Sequence, residues 1–334
     1  MKNRISLGYG SGGRLTRDLI KDLFLKNFDN PLLSKLSDSA VFDLHGEKVA
    51  VTTDSYVINP IFFPGGDIGK LSVCGTVNDL AVVGAAPLYI TLGMIIEEGF
   101  PYKDLENITA SIKNAAEGIG IKVITGDTKV TEKGKTDGIY INTTGIGVVD
   151  TDIKLGMDKI EKGDKIILSG NIGDHGIAVL SKREGFKFES DIESDCAPLN
   201  TLIYSAIRAG RIKFMRDPTR GGLAAVLNEI TEEGNFEITV KEEEIPVDDR
   251  VMGACSILGL DPVYIANEGK VVMVVKPDDA AKILSAVRRD PLGANAAIIG
   301  EVTDSKGNSV YLETIYGSLR RIDMPLEDPL PRIC

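Results

Sequence analysis

The chain has 334 residues, more than one ordinary hydrophobic core requires, and with 43% hydrophobic and 26% charged residues its composition is that of a globular protein. A formal net charge of −11 argues against nucleic acid as the main partner, because binding to phosphates requires a basic surface stripe. The sequence lacks apolar runs of membrane-spanning length, a signal-peptide h-region and any Cys-x-x-Cys pair, so we expect a cytoplasmic protein with reduced thiols and no membrane partner.

Strand-like and helix-like segments alternate through the first half of the chain. Strands are predicted where β-branched or apolar runs end in turn residues, at 47–58, 88–96, 121–128 and 136–150. Helices are predicted at 67–84 and at 102–120, where apolar residues share one helix face. The polar stretch 151–164 follows, and we place a boundary in it, so that residues 1–154 form the N-terminal domain.

The second half contains a similar mixture of elements. Strands are predicted from 165 and at 270–275, 297–302 and 309–314, and helices at 172–185, 198–210, 220–233, 247–258 and 277–290. The comparable order of elements predicts two related α/β lobes, the second at residues 155–320. Residues 321–334 contain three prolines and no periodicity, which predicts a flexible, extended tail ending in Cys334.

Two glycine-rich segments come close to known nucleotide-binding motifs. Gly8-x-Gly10-x-x-Gly13 has the letters of a dinucleotide fingerprint, but no convincing strand precedes it. The segment "GGDIGKLS" is one residue short of a P-loop and has Leu71 where Ser or Thr would hold magnesium. The run from Gly10 to Gly13 still offers a flexible row of backbone N–H groups that could close over a phosphate. A glycine-rich N-terminus without a ligand is the alternative.

Several aspartates lie at the ends of apolar segments or inside them. Asp54 and Asp127 each follow an apolar β run, and Asp79 lies within an otherwise apolar helix. A buried carboxylate is costly unless it is paired or bound to a metal. Together with Asp38, these acids could converge on a magnesium–triphosphate complex. Turn acids and helix caps are the alternative, which explains Asp38 and Asp54 well but Asp79 poorly.

Two further segments are predicted to be strand-to-helix turns. "SGNIGDHGIA" and "MRDPTRGGLAAVLNE" each combine glycines with an aspartate, and each could present a helix N-terminus to an anion. His175, in the first of them, is expected to be a local cap or turn partner rather than a catalytic group. Glu268 directly precedes a predicted strand, where an ordinary turn residue is the default interpretation.

Taken together, these segments resemble one protein family. "GSGGR", "TTDSYVINPIFFPGGDIGKLSVCGTVNDLAVVGAAPLYI", "IIEEGF", "TGDTKV", "SGNIGDHGIAVL", "MRDPTRGGLA" and "PLPRIC" are similar, in the same order, to the HypE family of hydrogenase maturation factors. This family lies within the PurM-like ATP-binding superfamily, and the terminal "PRIC" separates it from aminoimidazole ribonucleotide synthetase, selenophosphate synthetase and thiamine-phosphate kinase. The resemblance implies a two-domain α/β subunit with an α+β C-terminal domain. It also implies that two N-terminal domains pair into a barrel-like homodimer.

The resemblance further implies an ATP–magnesium site in a cleft. It assigns Asp38, Asp54, Asp79 and Asp127 to the metal, and Gly10, Ser11, Gly12, Gly13, Asn78, Thr128 and Asp217 to the nucleotide. Cys74, at a position where a small residue is expected, is interpreted as a packing residue.

The chemistry implied by the resemblance takes place on the terminal thiol. The carbamoyltransferase HypF would load Cys334 with a carbamoyl group, which the chain would dehydrate with ATP to a thiocyanate. The cyanide would then pass to iron on a HypC–HypD scaffold. Phosphorylation turns the amide oxygen into a good leaving group, and a base must remove N–H protons. Glu268 is our first candidate for that base, and Lys129 for a group that orients or shuttles.

Two other functions remain compatible with these residues. One is a PurM-like ATP-dependent enzyme that acts on a free small molecule. The other is a non-catalytic carrier whose tail is modified by other proteins. The cluster of acids argues against the carrier, because a scaffold does not need a metal–triphosphate site.

Overall fold

The computed structural model describes residues 4–28, 30–186, 192–303 and 307–334. The N-terminal part combines one five-stranded sheet with helices. Its elements, in chain order, are α1 (Gly13–Leu19), α2 (Leu25–Phe28), β1 (Ala40–Leu44), β2 (Glu47–Tyr56), β3 (Phe62–Phe63), β4 (Gly66–Asp67), α3 (Ile68–Val82), β5 (Ala85–Glu97), α4 (Tyr102–Ile119), β6 (Lys122–Thr131) and β7 (Ile139–Val149).

The first sheet has the strand order β1-β2-β7-β5-β6. β5 and β6 are parallel, and the other neighbouring strands are antiparallel. Side chains of β7 alternate between buried and partly exposed positions, because one face of the sheet packs on α3. Among the residues that the structure describes, β6 pairs only with β5 and therefore forms an edge of the sheet.

The C-terminal part contains a seven-stranded sheet with helices. Its elements are β8 (Lys165–Leu168), α5 (Asp174–Glu184), α6 (Asn200–Ala209), β9 (Ile212–Arg216), α7 (Gly222–Gly234), β10 (Glu237–Lys241), α8 (Asp249–Leu258), β11 (Val272–Val275), α9 (Pro277–Val287), β12 (Ala297–Thr303), β13 (Val310–Glu313) and β14 (Leu319–Ile322). The strand order is β14-β13-β10-β12-β8-β11-β9. The mixed α/β architecture expected from the sequence is confirmed.

Helix α3 lies at the centre of the molecule. Thirteen of its 15 residues are buried, because it contacts β2 and β7, α4, and α6 of the C-terminal part. Asp67 caps its N-terminus by accepting hydrogen bonds from the amides of Gly69 and Lys70. The apolar pattern at 67–84 is therefore that of a helix enclosed on all sides. Asp79, the acid within that pattern, lies where the two parts meet.

The C-terminal tail is docked against both parts of the molecule. β14 extends the second sheet to Ile322, so the first two residues of the expected tail belong to a strand. Leu330 and Ile333 are buried in the same hydrophobic cluster as residues of α3 and α5. The expected mobility of the tail stays a prediction, as does the domain boundary, which lies between the end of β7 and the start of β8.

Candidate active site

Three aspartates from distant parts of the chain converge in a cleft between the two parts of the molecule. Asp38 precedes β1, Asp79 lies in α3, and Asp217 follows β9. One carboxylate oxygen from each lies within 4.8 Å of the other two. Asp54 on β2 is hydrogen bonded to Asp79 and extends the cluster. The guanidinium of Arg216 lies 3.0 Å from a carboxylate oxygen of Asp38 and borders the cluster on one side.

The carboxyl groups of Asp54, Asp79 and Asp217 resist ionisation, because the pKa of each is raised. Burial raises the pKa of Asp79 well above its usual value, and the charges of Asp54 and Asp217 add to this effect. Burial and the charge of Asp38 raise the pKa of Asp217 to about 8. Burial also raises the pKa of Asp54, although the charge of Arg220 opposes it. Carboxylates crowded in this way attract a cation.

The donor set fits a hard divalent cation. All of its ligand atoms are carboxylate oxygens, which magnesium prefers over the nitrogen and sulfur donors favoured by softer metals. The structure brings together three of the four aspartates that the resemblance assigned to the metal: Asp38, Asp54 and Asp79. It adds Asp217, which had been assigned to the nucleotide.

The acid cluster opens into a cavity of about 560 Å³, a size typical of small-molecule sites. Gly12 and Gly13 line this cavity with φ angles of +83° and +72°, a conformation that strains other residues. Gly10 and Ser11 do not line the cavity. The carbonyl of Gly10 accepts a hydrogen bond of 2.8 Å from Arg220, and the Ser11 hydroxyl donates to a neighbouring carbonyl. Only half of the expected glycine run therefore faces the cavity.

Cys334 lies at the end of the docked tail and lines the same cavity as the acid cluster. Its terminal carboxylate accepts a hydrogen bond of 3.0 Å from the amide of Val57, just after β2. Burial raises the pKa of the Cys334 thiol to about 12, so the docked thiol is neutral at physiological pH. Cys334, on which the resemblance places the chemistry, therefore lines the same cavity as several of the residues that the resemblance assigns to the nucleotide and the metal.

Glu268 is the second chemically notable residue of the cavity. It is only 3% exposed, and within the described ranges its Oε1 is a buried side-chain atom without a hydrogen-bond partner. Burial raises its pKa well above the usual value, and the charges of Asp217 and Asp195 contribute. A carboxyl group with a raised pKa is a stronger base than an ordinary carboxylate once it has released its proton. Glu268 lines the same cavity as the Cys334 thiol, so in that ionised form it is placed to take a proton from a group attached to the sulfur.

Asn78 supports Glu268 rather than contacting the cavity. Its side-chain amide donates to the carbonyls of Ala197 and Glu268, at 3.1 and 3.2 Å, and its oxygen accepts from the amide of Leu199 at 2.8 Å. It therefore ties α3 to the loop that carries Glu268. The direct nucleotide contact expected for Asn78 stays a prediction.

The structure places Asp127, Thr128 and Lys129 away from this cavity. They lie on β6, whose residues are almost all exposed. Asp127 and Lys129 form an exposed ion pair of 2.7 Å with each other. Within a single chain these three predicted site residues are therefore separate from the acid cluster.

Some residues around the cavity were missed from the sequence. Arg220 lines the cavity, but it was not named as a site residue when the segment "MRDPTRGGLA" that contains it was considered. Asp328 in the tail accepts from the amide of Gly221 at 2.7 Å. The prediction that His175 is a local cap or turn partner is wrong, because its ring bonds to Ser194 and to the carbonyl of Ile333. Contacts over such chain separations leave no periodic signal in a sequence.

Two family matches together cover most of the chain. The AIR synthase related protein N-terminal domain matches residues 36–149, and the corresponding C-terminal domain matches residues 161–313. Among curated proteins, carbamoyl dehydratase HypE of Rhizobium leguminosarum bv. viciae is 48% identical over 333 residues, or 99% of this chain and 95% of that protein. Carbamoyl dehydratase HypE of Escherichia coli (strain K12) is 44% identical over 99% of this chain and 100% of its own length.

Solved structures show the same similarity. The crystal structure of a HypE–HypF complex matches with a TM-score of 0.87 and 47% identity, covering 92% of this chain and 99% of that chain. HypE in complex with ATP matches with a TM-score of 0.83 and 45% identity, covering 99% of this chain and 100% of that one. These matches confirm the expected two-domain PurM-like fold. No helix in the described ranges is long and apolar enough to cross a membrane.

Proposed function

Because the chain belongs to the HypE family of carbamoyl dehydratases, we propose that it uses ATP to dehydrate a carbamoyl group on its own Cys334 to a thiocyanate, in the maturation of hydrogenase. The observation that carries this proposal is the position of Cys334. The terminal thiol lies in the same cavity as four clustered aspartates and Glu268. A substrate attached to this sulfur would therefore lie beside both the phosphate-binding groups and a base.

The acid cluster and the N-terminal glycines would position the triphosphate. A magnesium ion held by Asp38, Asp54, Asp79 and Asp217 would neutralise phosphate charge. Gly12 and Gly13 present backbone without side chains to the same cavity, which allows close approach of phosphate oxygens. Arg220, on the cavity wall, adds a positive charge near the thiol.

The reaction has two chemical stages. The oxygen of Cys334–S–C(=O)NH₂ attacks the γ-phosphorus of ATP, which releases ADP and leaves the oxygen phosphorylated. Loss of the N–H protons and departure of inorganic phosphate then give Cys334–S–C≡N. After releasing its own proton, Glu268 is the group placed to accept one from the substrate, because it lines the same cavity as Cys334 and its buried Oε1 has no partner within the described residues. Asn78 fixes the backbone of that glutamate.

The docked tail distinguishes this function from its rivals. An enzyme for a free small molecule would not need its own chain terminus inside the cavity, where Cys334 now lies. A non-catalytic carrier would not need four aspartates with repelling charges beside that terminus. Both features are explained if the thiol carries the substrate.

Mass spectrometry of the C-terminal peptide tests the proposed function. The full chain, carbamoylated on Cys334, is incubated with ATP and magnesium, and we expect the peptide to lose one water. An Asp79→Asn variant should retain the carbamoyl group, whereas the matched Asp278→Asn variant, whose side chain is exposed on α9, should react as the wild type does. A phosphorylated small molecule with an unchanged tail would contradict the proposal.

A homodimer would explain the position of Asp127, Thr128 and Lys129. β6 is an edge strand with exposed apolar side chains, including Val123 and Val130, and such edges pair readily with a second chain. We propose that two chains pair along this edge. Asp127 and Lys129 would then complete the cavity of the opposite chain.

Mixing two inactive variants tests this arrangement. Asp79→Asn and Asp127→Asn homodimers should each be inactive, but mixed dimers would contain one intact site that combines Asp79 of one chain with Asp127 of the other. Random exchange should restore about a quarter of wild-type activity. A monomer in light scattering, or no recovery on mixing, would refute the dimer.

The proposed partners follow from the step that supplies the carbamoyl group and the step that removes the cyanide. A carbamoyl donor must reach Cys334, and HypF, seen in the HypE–HypF complex, is the proposed donor. The cyanide must then leave for iron, and a HypC–HypD scaffold is the proposed acceptor. Pull-down of each from a cytoplasmic extract with the wild-type chain, compared with a Cys334→Ala chain carrying an unmodifiable tail, tests both steps.

A further inference from the structure

His175 forms a buried connection between the core and the docked tail. Its ring is fully buried and packs edge-on against Phe63, with ring centroids 5.4 Å apart. Nδ1 lies 2.8 Å from the hydroxyl of Ser194, and Nε2 lies 2.7 Å from the carbonyl of Ile333. Ile333 directly precedes the cysteine whose thiol faces the cavity.

The partners of the ring define its protonation. A carbonyl only accepts hydrogen bonds, so Nε2 carries the proton that is donated to Ile333. Nδ1 then accepts from the Ser194 hydroxyl, whose oxygen in turn accepts from the amide of Cys196 at 3.0 Å. Burial lowers the pKa of His175, which favours the same neutral ring. The ring is therefore held in one tautomer and one orientation.

Other carbonyls at the end of the tail are also hydrogen bonded. Arg183 donates to the carbonyls of Pro331 and Arg332, both at 2.8 Å, and the amide of Asn59 donates to Arg332 at 3.3 Å. The carboxylate of Cys334 accepts from the amide of Val57. Arg183 is only half-buried, whereas His175 provides a fully buried side-chain contact next to the reactive residue.

We propose that His175 is a positioning residue, which holds the carbonyl of Ile333 through a ring oriented by Ser194 and so places the sulfur of Cys334 against Glu268. This inference rests on the proposed function, because it concerns the same reaction. It can be tested separately from the reaction, since it concerns the fraction of time for which the thiol stays docked. Without the hydrogen bond to His175, a larger fraction of tails is undocked at any moment.

Alkylation of the resting thiol measures docking without ATP or a carbamoyl group. Of the four cysteines, Cys74, Cys196 and Cys255 are buried, so iodoacetamide should label Cys334 alone in the folded chain. We expect labelling of a His175→Asn variant to be about fivefold faster than wild type, the effect of one lost neutral hydrogen bond. His175→Gln, whose longer amide can reproduce the Nε2 donor, should stay near wild type. Ser194→Ala should give a smaller increase.

Controls separate positioning from support of the fold. His45, the only other histidine, is exposed in the turn between β1 and β2, and His45→Asn should label at the wild-type rate. Equal labelling of His175→Asn and wild type would overturn the proposal. Faster labelling of the three buried cysteines would also overturn it, because the ring would then support the whole fold.

Turnover of the carbamoylated chain supplies the second measurement. His175→Asn should lower kcat and leave the KM for ATP unchanged, and His175→Gln should restore most of the kcat. A higher KM with an unchanged kcat would contradict positioning of the thiol. If the labelling results hold but the wild-type tail never loses water, the proposed function fails while docking by His175 stands.

Discussion

Replacing Glu268 with glutamine should change how the stability of the protein depends on pH. Glutamine has nearly the same shape but no proton to lose. Glu268 is buried, and its pKa is raised well above 4.5 by that burial and by the charges of Asp217, Asp195 and Asp54. The folded chain therefore retains a proton that the unfolded chain releases.

The sign of the effect follows from this difference in bound protons. Above the unfolded pKa, the unfolded state binds fewer protons, so the free energy of unfolding decreases as pH rises towards the folded pKa. One proton corresponds to about 1.4 kcal/mol per pH unit. Across the range from about pH 5 to about pH 7 the wild type should therefore lose unfolding free energy that the Glu268→Gln variant keeps.

Urea denaturation without nucleotide or magnesium, at several pH values between these limits, measures the effect. The difference in unfolding free energy between variant and wild type should increase with pH. Glu98→Gln, at an exposed site after β5, is the matched control and should follow the wild type. Parallel curves for Glu268→Gln and wild type would refute the reasoning, because Glu268 would then be ionised in the folded state.

Three further predictions concern the cavity. Glu268→Gln should lower the rate of dehydration on the carbamoylated chain by about 100-fold or more, as expected for loss of a general base, and a rate near wild type would exclude Glu268 from that role. Gly13→Ala should weaken ATP binding in calorimetry, because Gly13 has a positive φ angle and an added Cβ would lie 2.5 Å from the carbonyl oxygen of Pro325. Gly10→Ala is the control and should bind ATP normally, because a Cβ at Gly10 would have open space around it. An alanine added after Cys334 should reduce turnover by about 100-fold through displacement of the thiol, and one added at the N-terminus should not; equal rates would contradict the docked geometry.

The sequence predicted those elements in which apolar residues recur on one buried face. It also indicated that Asp79 joins other acids, because burial of a lone carboxylate is costly. Helix α4 follows the apolar spacing at 102–120, and Asp79 lies in a helix and joins other acids, as its apolar surroundings indicated. Asp54 and Asp127 were both expected at strand ends. They lie inside β2 and β6. Both strands continue past these aspartates through polar residues, because hydrogen bonds to the neighbouring strand stabilise the extended backbone there.

The contacts of the tail could not be predicted in the same way. The segment 323–334 has no periodicity because its polar contacts are made largely by backbone carbonyls, which every sequence possesses. The buried side chains of Leu330 and Ile333 are too few to form a pattern. The exposure of β6 could not be predicted either, because an apolar strand at the edge of a sheet has the same sequence pattern as an interior strand.

Helix α3 restricts how the cavity can open. One face of α3 packs on α6 of the C-terminal part, so separating the two parts of the molecule would transfer this apolar face into water. Rigid-body opening at this joint is therefore energetically expensive. The two chain ends are attached differently, since the amides of Arg14 and Leu15 donate to the carbonyls of Pro325 and Leu326. Release of the N-terminal segment exposes little apolar surface, because α1 contains no buried residue, so we expect ligands to enter and leave the cavity past this segment while α3 stays in place.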